Sequence, residues 1–87
     1  MSKFMSTHTI TPGRLSADQL RQFATVAQQD PIKGYRSFAN LEEGKAMCVI
    51  EGPNKEAVAS WFTKMGMPFD EITKVELEGD RGDIKAA

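Results

Sequence analysis

Few side chains in this sequence can carry chemistry, and they are quickly named. There is one histidine, His8, and one cysteine, Cys48. Imidazole suits nickel, copper and zinc alike, whereas a closed metal site takes three or four ligands, so His8 offers a single nitrogen donor. In a homodimer two His8 side chains could converge on the twofold axis. Cys48 falls inside the apolar run Ala46-Met47-Cys48-Val49-Ile50. It reads as a small core residue whose thiol is kept inert by apolar surroundings. Tyr35-Arg36-Ser37 is the most polar cluster within an expected strand. Strand alternation sends Tyr35 and Ser37 to one face and Arg36 to the other. An arginine there could bind a carboxylate or phosphate, or simply guard a sheet edge. The candidate site is therefore His8 as metal ligand with Tyr35, Arg36 and Ser37 as ligand-binding residues. No residue is assigned as catalytic.

Several function classes are disfavoured. The chain has no glycine-rich phosphate loop, no paired catalytic carboxylates, no nucleophile elbow and no zinc-ligand spacing. Eleven Lys and Arg against twelve Asp and Glu give a net charge of -1. With no basic surplus, nucleic acid is not an expected partner. No apolar run approaches the ~18 residues of a membrane span, so no membrane partner is expected either. The N-terminal residues lack the apolar stretch of a secretory signal, and a single cysteine forms no internal disulfide; a cytoplasmic protein is expected. Arg81-Gly82-Asp83 matches a cell-adhesion tripeptide but is too short a match to carry a function.

Eighty-seven residues, 40% hydrophobic and 26% charged, make one globular domain over 1–87. Residues 3–10 read as a strand that stops at Thr11-Pro12-Gly13. Ser16 and Gln19 form a capping box, and Leu20, Phe23, Ala24 and Ala27 make one helical stripe, which Asp30-Pro31 should end. Strands follow at 34–40 and 45–51, joined by the hairpin loop 41–44. Asn54 caps a second helix whose apolar face is Ala57, Val58, Trp61, Phe62 and Met65, and Gly66 and Pro68 terminate it. Met5, Met47 and Met67 read as core fillers. Residues 71–78 alternate as a half-wet strand, and 79–87 read as a polar, frayed tail.

The order β-α-β-β-α-β predicts an α+β domain of ferredoxin-like type: a four-stranded antiparallel sheet with two helices on one face. The 45–51 strand is apolar on both faces, so the uncovered face calls for a partner. A homodimer of the dimeric α/β-barrel kind would bury it.

The stretch Cys48-Val49-Ile50-Glu51-Gly52-Pro53-Asn54-Lys55-Glu56-Ala57-Val58 resembles the most recognisable segment of a small bacterial family formerly of unknown function. That family is also called the nickel-binding, ferredoxin-like family after one Streptomyces member. Met65-Gly66-Met67-Pro68-Phe69-Asp70-Glu71-Ile72 and the Thr11-Pro12-Gly13 strand end are similar to it as well. The likeness runs over about residues 3–78. It implies a ferredoxin-like fold, a homodimer and nickel as the cofactor. Many members show Glu-Arg where this chain has Thr7-His8, and Trp-x-His-Ser-Tyr where it has Gly34-Tyr35-Arg36-Ser37-Phe38. The expected function is a small dimeric binding protein for a metal ion or small anion. The alternatives are an interaction module without a ligand site, or a barrel enzyme of monooxygenase type.

Overall fold

In the computed structural model, which describes residues 1–28 and 31–87, six strands and two helices follow one another. They are β1 (Ser2–Thr9), α1 (Ala17–Val26), β2 (Lys33–Asn40), β3 (Lys45–Gly52), α2 (Lys55–Lys64), β4 (Glu71–Lys74), β5 (Leu77–Asp80) and β6 (Asp83–Ala86). The first four strands form an antiparallel sheet in the order β2-β3-β1-β4, and β5-β6 is a separate hairpin. The α+β class, the pair of helices and the four-stranded antiparallel sheet are thus as expected. No helix among the described residues is long and apolar enough to cross a membrane.

Local signals explain most boundaries. The Ser16–Gln19 capping box forms in both directions, at 3.1 and 2.8 Å. Ala27 caps the other end of α1, and its carbonyl accepts from Gly34 N at 2.8 Å, which ties the helix to β2. Of the expected Asp30-Pro31 stop, Asp30 lies outside the described residues. Asn54 accepts from Ala57 N at 2.8 Å and starts α2. Gly66, at φ +74, ends it: Met67 N reaches Phe62 O and Gly66 N reaches Thr63 O, so the last carbonyls are satisfied. The 41–44 loop closes through Asn40 and Gly44, the latter at φ +73 with its carbonyl on Ile10 N at 2.7 Å.

One sheet face carries the core. Phe4, Cys48, Ile50 and Ile72 meet Val58 and Phe62 of α2, with Ile10, Ile32 and Met67 around them. By contrast α1 buries no residue, although Phe23 meets Trp61 edge-on at 5.6 Å. On the opposite face Met5, Phe38 and Met47 are exposed, so of the three methionines expected as fillers only Met67 is in the core.

Two expectations need correcting at the C-terminal end. The strand expected over 71–78 breaks after Lys74, where Val75 N still bonds Lys3 O at 2.9 Å, and resumes as β5. Residues 79–86 belong to the β5-β6 hairpin and do not form a frayed tail. Its turn places Arg81 (φ 53) and Gly82 (φ 87) both at positive φ, the two-residue geometry whose twist matches paired strands. The adhesion-like tripeptide is this turn.

Candidate functional site

Alternation along β1 places Phe4, Ser6, His8 and Ile10 on the helix side of the sheet, where Phe62 of α2 covers them. His8 is 2% exposed, and its ring meets Phe62 edge-on at 4.8 Å. Nδ1 lies 2.7 Å from the Pro68 carbonyl. A carbonyl only accepts, so Nδ1 carries the proton and donates. Nε2 is then the lone-pair nitrogen of the neutral ring and accepts from the Ser6 hydroxyl at 2.8 Å. Ser6 is directly opposite Cys48 in the β1–β3 register, and Ser37 of β2 is opposite Cys48 from the other side. Ser37 Oγ donates to Cys48 Sγ at 3.4 Å. Three neighbouring strands thereby bring Ser6, His8, Cys48 and Ser37 into one polar cluster set in an apolar layer.

The electrostatics of the cluster follow from this packing. Burial pushes His8 toward its neutral form, but the Cys48 thiol, the Pro68 carbonyl and the charge of Asp70 outweigh it and hold the imidazole above its usual value. Burial pushes the Cys48 thiol up, while a neighbouring imidazolium and the Ser37 and Ser6 hydroxyls favour the thiolate more and bring it below its usual value; in that ionised state His8 Nε2 carries a proton and Ser6 no longer donates to it. The expectation of wholly apolar surroundings for the thiol is corrected here, because its nearest partners across both strand pairs, Ser6 and Ser37, are polar.

Beside the cluster lies a cavity of about 160 Å3 between α1, α2 and the sheet. Phe23, Ala24, Trp61 and Phe62 wall it, and Ser37 and Cys48 line its sheet side.

Tyr35 and Arg36 border this cavity but stand apart from the His8 cluster. The β2–β3 register runs Gly34↔Ile50 and then Arg36↔Val49, so Tyr35 is an extra residue in a β-bulge. Tyr35 and Arg36 therefore share the outer face, and Ser37 alone returns to the helix side. Tyr35 Oη donates to Glu51 Oε2 at 3.2 Å, and Lys3 Nζ sits 4.7 Å from the Tyr35 ring centre while bridging Glu78 at 2.9 Å. This outer face and the β5-β6 hairpin flank a trough lined by Met5, Phe38, Met47 and Leu77.

The sequence pattern described as nickel responsive protein SCO4226-like matches residues 4–75, most of the chain. This chain belongs to the SCO4226-like family. The crystal structure of SCO4226 from Streptomyces coelicolor A3(2) superposes with a TM-score of 0.73 at 29% identity, covering 90% of this chain and 100% of that one. No curated protein matches the chain.

In this SCO4226-like chain the residues singled out from sequence fall on two sides of one sheet. His8 and Ser37 come together; Tyr35 and Arg36 do not join them. Sequence reasoning left Ser6 and the Pro68 carbonyl out of the site. Ser6 had a signal, being two residues before His8 in a strand and so on its face. Pro68 had none, since its carbonyl reaches His8 only through the turn after α2. Among the described residues no three His, Cys, Asp or Glu side chains gather as a metal cluster.

Proposed function

We propose that this protein is a small homodimeric binding protein of ferredoxin-like, dimeric α/β-barrel type with a nickel-related role in the cytoplasm. The family description supports the nickel association. The observation that carries the reading is the state of His8. Its Nδ1–H is pinned to a backbone carbonyl, which is how proteins orient a ligating imidazole, and Nε2 is held only by a serine hydroxyl. His8 Nε2 and the acidified Cys48 thiol would be the donors, a nitrogen–sulfur pair suited to nickel, copper or zinc. Two side-chain donors fit an open, exchangeable site, not a closed structural one. A metal bound there would supply Lewis acidity, while the chain's own part is to fix the imidazole tautomer and keep the thiol ionisable.

The dimer rests on the outer face, where Met5, Phe38 and Met47 are exposed side by side across β1, β2 and β3. Arg36 on that face remains the residue suited to a small anion. Calorimetric titration of the metal-free protein with nickel, read alongside thiolate-to-nickel absorption, tests the metal reading. Binding with sulfur-derived absorption that is lost in His8→Ala and in Cys48→Ser is the expected result; uptake undiminished in both variants would refute it.

A further inference from the structure

We infer that the cavity between α1 and the sheet is a binding site for a small neutral aromatic molecule bearing one hydrogen-bond donor, of the phenol or indole class. The argument begins with α1. Its apolar stripe points at the core, yet Leu20 and Phe23 are only half-buried and Ala24 is exposed. They border the cavity instead of closing on the sheet. A helix whose apolar stripe ends in open space leaves dispersion contacts unmade, and an occupant supplies them. The volume, about 160 Å3, decides the size of that occupant. An engineered apolar cavity of ~150 Å3 takes up benzene, so one ring fits here and a peptide helix does not.

The walls decide its character. Phe23 and Trp61 meet edge-on, as do Trp61 and Phe62 at 5.2 Å, presenting ring faces and edges to whatever lies between. Aromatic rings favour such offset and edge-on neighbours. No charged group other than Arg36 borders the cavity, and Arg36 is placed by the bulge on the outer face, so a charged ligand would be left without a counter-ion inside. The polar handle is Ser37. Its hydroxyl proton is committed to Cys48 Sγ, which leaves its oxygen free to accept. Gln28 turns one amide N–H to the Gly34 carbonyl at 3.0 Å, and its Oε1, like Ser37 Oγ, is an acceptor. The site therefore asks for a donor, a hydroxyl or ring N–H, aimed at Ser37 Oγ. This site is built within one chain and does not use the His8 nitrogen; it shares Cys48 with the proposed metal pair, so it is tested on metal-free protein.

The test is an amide and indole NMR titration of the isotope-labelled, metal-free protein with phenol and, separately, with toluene. The two probes have nearly the same shape and differ in the donor. Both should give saturable shifts at Phe23, Ala24, Gly34, Ser37 and the Trp61 indole N–H, with phenol tighter by about fivefold, the worth of one neutral hydrogen bond. In Ser37→Ala phenol should fall to the affinity of toluene. Ala24→Phe, which fills the space from its open side, should abolish the shifts for both while the rest of the spectrum is retained. Absence of saturation at millimolar probe, shifts centred on Met5, Phe38 and Met47, or an undiminished preference for phenol in Ser37→Ala would overturn the assignment. If Ala24→Phe disturbs the fold, the Ser37→Ala comparison still decides, because Ser37 is an exposed residue of the edge strand β2 and losing one oxygen leaves the apolar walls in place.

Discussion

Met47→Lys is the sharpest probe of the proposed dimer. Met47 lies on β3 with Phe38 on one side and Thr7 on the other in register, near the middle of the outer face. It is 39% exposed in the single chain. Burying a whole methionine side chain is worth ~1.5–3 kcal/mol, so covering the exposed part gives about 1 kcal/mol per protomer. A twofold interface contains the substitution twice, which makes the lost burial about 2 kcal/mol. Two ammonium groups must also be desolvated within reach of each other, at several kcal/mol per ion where no partner exists. Even a conservative total of ~4 kcal/mol weakens association about a thousandfold. Sedimentation equilibrium over a micromolar range should show a wild-type dimer and a Met47→Lys monomer. The monomer's own stability should change by less than ~0.5 kcal/mol, since the side chain is at the surface. Ser60→Lys, on the exposed side of α2, serves as a control and should remain dimeric. A wild-type protein that stays monomeric, or a Met47→Lys protein that dimerises as tightly as wild type, would refute the reasoning.

Other consequences can be checked by denaturant unfolding and NMR. Gly44→Ala should cost upward of ~3 kcal/mol, because φ is +73 and a Cβ would sit 2.2 Å from the Ile10 carbonyl oxygen. Gly66→Ala, at φ +74 with nothing within 4 Å, should cost only about 1 kcal/mol; urea midpoints separate the two. Asn54→Ala should lose about 1 kcal/mol of stability through the α2 cap, read in the same way. The raised value of His8 means that the folded chain binds the proton more tightly than the unfolded one. Its contribution is therefore fully present below the unfolded value of 6.5 and lost as pH rises through the folded value. In metal-free protein, ring-proton titration of His8 should show this elevation. Cys48→Ala should lower it, since the thiol is the largest of the contributions that raise it.

The difference between what the sequence revealed and what it hid comes down to whether a signal is local. The Ser16 and Asn54 caps, the Gly66 stop and the 41–44 loop each depend on residues within a few positions, and all four formed as expected. Period-two alternation also held along β1, which is why His8 shares a face with Phe4, Ser6 and Ile10. Alternation failed in β2 because it assumes an unbroken ladder. One extra residue at Tyr35 moved Tyr35 to the side of Arg36, and no residue type there announces a bulge. The β5-β6 hairpin did have a local signal, the Arg81-Gly82 pair between short alternating segments; it was obscured by the low apolar content around it.

The bulge is also what gives the two faces of the sheet different chemistry. Had β2 run without it, alternation from Ser37 would have placed Tyr35 on the helix side, next to the cavity and the His8 cluster. The extra residue instead sends Tyr35 and Arg36 to the outer face, where Tyr35 joins Glu51 and Lys3, so that both only border the cavity while Ser37 returns to the helix side beside Cys48. The helix side is thereby kept largely apolar around four polar side chains that satisfy one another, with no buried side-chain N or O among the described residues left unpartnered. A polar cluster in an apolar layer costs stability unless it is fully paired, and apolar packing would serve the fold at less risk. The cluster of Ser6, His8, Cys48 and Ser37 is accordingly what the proposed ligand chemistry would use on the helix side, while the proposed dimer would use the outer face. Replacing His8 by phenylalanine separates the two: it should remove metal uptake and leave the dimer intact, whereas Met47→Lys should do the reverse.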